Sequence, residues 1–173
     1  MAERMSTTSD NGIYDVVVVG AGYVGLATAV SIASARPSLR VVVVDAAPAD
    51  VWKKDPRASA IAAAACRMLE SLGCWTDIAP EAQAITEMIV TDSRTADPVR
   101  PVFLTFDGEV APGEPFAHMV PNRALNGALR RRADEFGIDI LPGLAATGLE
   151  VDPTHARLQL SDGRSLEARL VIA

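Results

Sequence analysis

Several residue types are scarce in this chain, and each scarcity excludes a kind of function. Its 173 residues include two cysteines, two histidines and 5% aromatic residues, and its net charge is −6. The excess of negative charge argues against nucleic acid as a partner. Cys66, Cys74, His118 and His155 do not follow metal-ligand spacing, and no nucleophile-elbow motif accompanies the histidines. We therefore expect neither a metal site nor Ser-His-Asp hydrolysis.

The amino-terminal segment lacks the features of a secretion signal. Residues 1–12 are polar and contain no apolar stretch, so we expect a disordered tail there. Hydrophobic residues make up 49% of the chain, which is enough for one domain with a real core. Because both cysteines fall in or beside an apolar helix, we expect buried thiols and a reduced, cytoplasmic setting.

A glycine-rich turn is the most informative motif in the chain. Gly20, Gly22 and Gly25 follow a valine-rich run at residues 13–19, which has the composition of a parallel strand buried on both faces. The residues after Gly22 predict a helix at 23–35, which includes Gly25. This strand–turn–helix order is the context in which a glycine triplet indicates dinucleotide binding.

An acidic side chain completes the motif. A second valine-rich strand at residues 40–45 ends on Asp45, at the distance from the glycines that a dinucleotide fold requires. Gly22 would let a pyrophosphate approach the backbone, and Gly25 would let the helix pack closely on the strand. The Asp45 carboxylate could accept both hydroxyls of an adenosine ribose and would repel a 2′-phosphate. The pattern therefore favours FAD or NAD over NADP.

Two other interpretations of this segment remain open. Residues 16–35 contain no charged side chain and are long enough to span a bilayer, so a transmembrane helix is one alternative. Four valines followed by three glycines are poor material for such a helix. The other alternative is a nucleotide-type layer whose glycines serve packing alone.

The rest of the chain alternates between further helices and short strands. After a loop at residues 46–56, an alanine-rich helix is predicted at 57–72 and ends at Gly73, and a second helix is predicted at 122–136. Arg130, Arg131 and Arg132 near the end of that helix indicate a solvated face, with an anion site as the alternative. Short strands are predicted at residues 85–91, 102–106 and 116–120, and an antiparallel meander at 138–141, 149–151, 156–160 and 166–172.

These features together resemble a known family. The glycine motif, Asp45, Arg57 at the head of an alanine-rich helix, and the segments 69–73, 120–125 and 170–173 are similar to the N-terminal part of the FAD-dependent aromatic hydroxylases. Within that group the chain is most similar to the hydroxylases of ubiquinone biosynthesis. The resemblance implies an α/β fold: a Rossmann-like parallel sheet that binds FAD, with an antiparallel β-meander and part of a substrate-side β region.

The resemblance also implies a division of the chain and a set of cofactor-binding residues. Residues 13–173 would form an incomplete FAD-binding domain, with 84–120 as a substrate-side insertion. Arg57 would reach the cofactor, with a surface residue at a helix start as the alternative, and Asn122 would contact the phosphate or ribitol chain, with a plain N-cap as the alternative. The implied cofactor-binding residues are Gly20, Gly22, Tyr23, Val24, Gly25, Asp45, Arg57, Asn122, Ala145 and Ala146.

The activity implied by the family is FAD-dependent, NAD(P)H-requiring aromatic monooxygenation. The substrate would be a small hydrophobic phenol such as a ubiquinone precursor, through which the protein could associate peripherally with a membrane. No residue of this chain is a candidate catalytic acid or base. Because the chain ends on an apolar strand, we expect the isolated chain to form a homo-oligomer or aggregate, to bind the adenosine half of FAD weakly at best, and to hydroxylate nothing. An NAD-dependent dehydrogenase and an FAD-binding module without turnover remain the alternatives.

Overall fold

The computed structural model describes residues 12–173, so the expected tail at 1–12 lies almost entirely outside the described residues. Short 3-10 helices cover Val51–Lys54 and Ala79–Glu81. In chain order, the other elements are β1 (Tyr14–Val19), α1 (Tyr23–Ala35), β2 (Val41–Asp45), β3 (Ala58–Ala62), α2 (Ala63–Ser71), α3 (Trp75–Ile78), β4 (Gln83–Ile85), β5 (Glu87–Thr91), β6 (Val102–Asp107), β7 (Glu109–Ala111), β8 (Glu114–Pro115), β9 (Ala117–Pro121), α4 (Asn122–Glu135), β10 (Asp139–Pro142), β11 (Ala146–Val151), β12 (Ala156–Leu160) and β13 (Ser165–Ile172).

A six-stranded sheet in the order β10-β2-β1-β13-β12-β11 organises the fold. β1 pairs in parallel with β2 and β13, and β10 pairs in parallel with β2. The strands β11, β12 and β13 form the antiparallel meander that the turns predict. The expected α/β fold with a parallel sheet and a meander is confirmed.

Successive valines of β1 and β2 point to opposite faces of the sheet, and both faces are buried. Val18 and Val43 pack with Leu26 of α1 and Leu129 of α4 on one face. On the other face, Val17 packs in a second cluster with residues from β2, β12 and β13. This two-sided burial explains why β1 and β2 read as nearly continuous apolar runs.

The transmembrane alternative for residues 16–35 is wrong. This segment divides between β1 and α1, and α1 is 13 residues long. Among residues 12–173, no helix combines the length and apolar character needed to cross a bilayer. The break between the strand and the helix falls at the glycine turn, as glycine's poor helix propensity requires.

The predicted helix at residues 57–72 is wrong in its first third. Residues Ala58–Ala62 form β3, which pairs antiparallel with β9 over its whole length, and α2 begins at Ala63. Alanine is the best helix former, but helix propensity amounts to less than about 1 kcal/mol per residue, so pairing with a distant strand overrides the local preference. The predicted stop is confirmed, because Gly73 follows α2 with φ +74°.

The region 84–120 contributes strands to three small sheets. β3, β9 and β4 form one, β5 and β6 a second, and β7 and β8 a third. The strand expected at 85–91 is interrupted at residue 86, so that β4 and β5 join different sheets. A substrate-side role for this region stays a prediction.

The prediction that the strand at residues 138–141 belongs to the antiparallel meander is wrong. β10 is a parallel neighbour of β2 and takes no part in the antiparallel pairing of β11, β12 and β13. It lies on the outer side of β2 and follows α4 in the chain. β13 lies in the middle of the sheet between β1 and β12, and it ends in the apolar run at residues 170–172.

Candidate functional site

A cleft of about 730 Å³ opens where β1 and β2 end. This is the edge at which parallel α/β sheets bind their ligands, because the loops there leave a crevice between neighbouring strands. The cleft brings together six of the predicted site residues. They are Gly22, Tyr23, Val24, Asp45, Arg57 and Asn122. Its other lining residues are Ala21, Ala47, Val51, Trp52, Lys54, Asp55, Pro56, Asn126 and Arg130.

Gly20 and Gly25 shape the turn from behind the cleft. Gly20 has φ +105°, a conformation that side chains disfavour, and its N–H donates to the carbonyl of Val44 at 2.7 Å. A Cβ on Gly25 would overlap the carbonyl oxygen of Gly20. These glycines are required by the chain itself, because they allow α1 to start directly against the end of β1.

Gly22 differs, because nothing in the described chain requires it to be a glycine. Its φ is −71°, which any residue adopts, and apart from its chain neighbours no atom of the described residues lies within 4 Å of the position that a Cβ would take. It precedes α1, whose first turn carries no acidic residue and no side-chain cap. The open space and the uncapped N–H groups form a cradle for an anionic group.

Asp45 braces this loop with both carboxylate oxygens. Oδ2 accepts the N–H of Ala21 at 3.1 Å, and Oδ1 accepts the N–H of Ala47 at 3.0 Å. A carboxylate has about four acceptor positions, so each oxygen can accept one more hydrogen bond. The residue predicted to bind a ribose therefore also holds the glycine loop in place.

Arg57 lies along the cleft from Asp45 and is fixed by Asp55. Its Nε and Nη2 donate to the two carboxylate oxygens at 2.9 and 2.8 Å, and its backbone N–H adds a third bond at 3.0 Å. The Arg57 side chain and backbone hold the pKa of the Asp55 carboxyl well below its ordinary value of 3.8. The Arg57 side chain is 78% exposed, so its remaining donors can reach a ligand.

Asn122 joins the same network from the start of α4. Its Oδ1 accepts the Ser59 hydroxyl at 2.7 Å, and its Nδ2 donates to Asp55 at 3.3 Å. Tyr23 lies beside them, with its hydroxyl 3.3 Å from that of Ser59. The N-cap alternative for Asn122 is wrong, because Pro121 precedes the helix and the Asn122 side chain binds other elements.

The predicted cofactor-binding residues omit two cleft residues on α4, since Asn126 is not among the candidates and Arg130 is named only as part of an alternative anion site. Asn122, Asn126 and Arg130 recur every four residues and form a polar stripe on a helix face that is otherwise apolar. Asn122 and Asn126 are each 5% exposed, and the Oδ1 atom of Asn126 is buried without a hydrogen-bond partner in the described residues. The four-residue spacing of polar side chains on a buried face was the signal that could have identified them.

The solvated-face interpretation of the three arginines is wrong for Arg130. Arg131 and Arg132 form ion pairs with Asp77 and Glu135. Arg130 instead turns into the cleft and donates to the carbonyl of Ala21 at 3.2 Å. The three consecutive side chains point in different directions around the helix, so only one of them reaches the cleft.

Ala145 and Ala146 lie outside the cleft lining. The N–H of Leu144, the residue before them, donates to the carbonyl of Asp45 at 2.8 Å. The structure therefore places them beyond the end of β2, adjacent to the acidic residue through the backbone. Their assignment to the cofactor stays a prediction.

The cysteines and histidines offer no second site within the described chain. Residues 12–173 contain no group of three side chains able to hold a metal. Cys66 and Cys74 are buried and free, and burial raises the pKa of both thiols. His118 lies 3.7 Å from Cys66 and packs edge-on against Trp75. The cysteines act as small buried hydrophobic residues, as expected.

Comparison with known proteins identifies the family. Residues 13–173 match the family described as FAD binding domain. The chain belongs to this family. It is also 34% identical over 170 residues to the ubiquinone hydroxylase UbiL of Rhodospirillum rubrum, a match that covers 96% of this chain and 38% of that protein. The chain thus spans less than two-fifths of the curated relative.

Solved structures share the fold. The p-nitrophenol 4-monooxygenase PnpA of Pseudomonas putida is 21% identical with a TM-score of 0.73, over 92% of this chain and 40% of PnpA. The Diels-Alderase PyrE3 of pyrroindomycin biosynthesis is 18% identical with a TM-score of 0.68, over 91% of this chain and 31% of PyrE3. Since these two proteins carry out different reactions, the shared fold does not determine the reaction.

Proposed function

We propose that the cleft binds FAD in an extended form, with the adenosine at Asp45 and the flavin toward Arg57 and Asn122. The observation that carries this proposal is the cradle at Gly22, which is open although the chain itself does not need a glycine there. A group from outside the chain explains the missing side chain. Membership of the FAD binding domain family supports FAD as that group.

The dimensions and polar groups of the cleft fit a dinucleotide. Arg130 and Asn122 are eight residues apart on α4, so they span about 12 Å along the cleft. The uncapped first turn of α1 and the free donors of Arg57 suit a pyrophosphate, and the spare acceptors of Asp45 suit ribose hydroxyls. The buried, unpartnered Oδ1 of Asn126 offers one further acceptor.

The proposed orientation directs the flavin toward the region 84–120. Ser59 belongs to β3 and links Asn122 to the sheet that β3 forms with β9 and β4. We assign this side of the cleft to the substrate, which agrees with the substrate-side role predicted for 84–120. The adenosine end lies away from it, beside the loop after β2.

We propose further that the protein containing this domain is a flavin monooxygenase that hydroxylates a hydrophobic phenol, such as a ubiquinone precursor. The match to UbiL supports this substrate class. FAD held there would supply the redox chemistry, in which NAD(P)H would provide two electrons, one oxygen atom of O₂ would enter the aromatic ring and the other would leave as water. The described residues bind and orient the cofactor, and none of them is assigned as a catalytic acid or base.

A binding experiment tests the cofactor assignment. Purified chain is titrated with FAD while flavin fluorescence is followed, and ADP and NAD are then added as competitors. We expect saturable 1:1 binding of FAD that ADP reverses, because ADP contains the adenosine and pyrophosphate that the cleft would hold. Binding of NAD without binding of FAD would overturn the proposal in favour of a dehydrogenase.

A further inference from the structure

Arg130 has no carboxylate partner among residues 12–173, although most arginines around it do. Its neighbours on α4 are ion-paired, Arg131 with Asp77 at 2.7 Å and Arg132 with Glu135. Among residues 12–173, the Arg130 side chain makes one hydrogen bond, which Nη2 donates to the carbonyl of Ala21. A cation in a cleft with no ion pair leaves its charge available to a ligand.

Burial makes this arrangement costly for the protein alone. Within the described part of the chain, the Nε atom of Arg130 is buried without a hydrogen-bond partner, and burial lowers the pKa of the guanidinium. Asp45 and Asp50 offset part of this effect through space, without forming an ion pair with it. Burying a charge is unfavourable unless an opposite charge accompanies it, so the arrangement favours an anionic ligand.

Packing holds the guanidinium in the cleft. It lies 5.4 Å from the centre of the Trp52 ring, within the range of a cation–π contact. Trp52 is itself pressed against α4, since a Cβ on Gly127 would come within 3.3 Å of the indole. Trp52 is therefore a positioning residue that limits the directions the Arg130 side chain can take.

We propose that Arg130 binds the phosphate group of the cofactor nearest the adenosine. This inference rests on the proposed binding of FAD in the cleft. Arg130 reaches the glycine loop at Ala21, the residue whose N–H binds Asp45 and which precedes the cradle at Gly22. The cation thus lies between the ribose position and the pyrophosphate position.

Donor and acceptor chemistry selects the phosphate. A guanidinium only donates hydrogen bonds, whereas the ribose hydroxyls need acceptors, which Asp45 supplies. The adenine ring nitrogens accept but carry no charge. The phosphate oxygens accept and are negatively charged, so they alone compensate both the unused donors and the uncompensated charge of Arg130.

Competition experiments on three variants test this inference. The affinities of Arg130→Gln, Arg130→Lys and the control Arg131→Gln for FAD, ADP and adenosine are measured by titration and displacement. We expect Arg130→Gln to bind FAD and ADP about 10- to 100-fold more weakly, the effect of losing hydrogen bonds to a charged group, while adenosine binding changes less than about 3-fold. Arg131→Gln should match the unmodified chain, because its ion pair with Asp77 lies outside the cleft.

Arg130→Lys tests the contribution of the charge alone, and the unmodified chain tests the proposed binding of FAD. Arg130→Lys keeps the charge, so it should lose less ADP affinity than Arg130→Gln. If Arg130→Gln does not fold, as judged by circular dichroism, Arg130→Lys becomes the test variant. It should then lose affinity for ADP but not for adenosine. Equal losses for adenosine and ADP, or no loss in either variant, would overturn the inference. Failure of the unmodified chain to bind FAD would instead overturn the proposed function.

Discussion

Most apolar side chains are buried in the layer formed by β1, β2 and α1, which carries the glycine loop. Apolar side chains are exposed in the ribbon formed by β5 and β6. Val17 and Val42 in the layer are 0% exposed, whereas Val102 and Phe103 in the ribbon are 59% and 73% exposed. Both segments are rich in the apolar and β-branched residues typical of strands. The difference shows that the layer finds its packing partners within the described chain, and the ribbon does not.

One face of the ribbon is apolar throughout. Met88 pairs with Phe106 and Val90 with Leu104, and all four side chains are partly exposed. A two-stranded ribbon has little stability of its own without a surface to pack against. Cofactor binding and stability should therefore depend on the layer and be nearly independent of the ribbon.

The largest effect is expected at Gly25. Replacement by alanine places a Cβ against the carbonyl oxygen of Gly20, so either α1 or the turn must move. We expect a loss of about 3 kcal/mol or more in the free energy of unfolding, at the upper end of overpacking effects. Urea denaturation measures it, and Gly22→Ala is the matched control because its Cβ enters open space. Equal stability of the two variants would contradict the described turn.

The next largest effect is expected at Asp45. Asp45→Ala should weaken FAD binding by about 1.5 to 3 kcal/mol, because hydrogen bonds to a charged acceptor are lost. Fluorescence titration gives the affinity. Asp45→Asn, which keeps one acceptor oxygen, should fall between the alanine variant and the unmodified chain. An unchanged affinity in Asp45→Ala would remove this residue from the site.

Asp55 gives a smaller, pH-dependent effect. Because Arg57 lowers the folded-state pKa of Asp55 below 3.8, the ion pair stabilises the fold above about pH 4 and loses its contribution as the pH falls further. Asp55→Asn should therefore be less stable than the unmodified chain at pH 7, and the difference should shrink toward pH 2. Thermal unfolding across this range measures it, and a constant difference would show that the pair does not act through charge.

The smallest effect is expected in the ribbon. Val102→Thr should change the free energy of unfolding by less than about 0.5 kcal/mol and leave FAD affinity unchanged, since the side chain is largely exposed. Val17→Thr is the matched change in the layer and should cost about 1 to 3 kcal/mol, because it buries a hydroxyl. A similar loss in the free energy of unfolding for both variants would contradict the difference between the two regions.

Sequence reasoning predicted the layer well because its determinants are local. The strand–glycine–helix order and the position of Asp45 follow from short-range preferences for turns and buried strands. The expected helix at 57–72 failed for the opposite reason, since β3 exists only through its pairing with β9, far along the chain. Local propensity carries no information about such a partner.

The sequence predicts a residue's role in the candidate site only where that role does not depend on contacts with distant segments. The roles of Gly25 and Gly20 follow from the turn itself. The direction of Arg130 depends on how α4 packs against α1 and on the placement of Trp52 in a 3-10 turn. Asn122 was identified through resemblance, but its contacts with Ser59 and Asp55 require three separate segments to meet.

The central claim is that the open cradle at Gly22 holds the phosphates of FAD, and a size series at this position tests it most directly. FAD titrations are run on the unmodified chain, Gly22→Ala and Gly22→Val, with Ser34→Val on the exposed face of α1 as the control and circular dichroism for each. We predict that affinity falls with side-chain size and that Gly22→Val binds no FAD while remaining folded. A folded Gly22→Val variant that binds FAD as tightly as the unmodified chain would contradict the account.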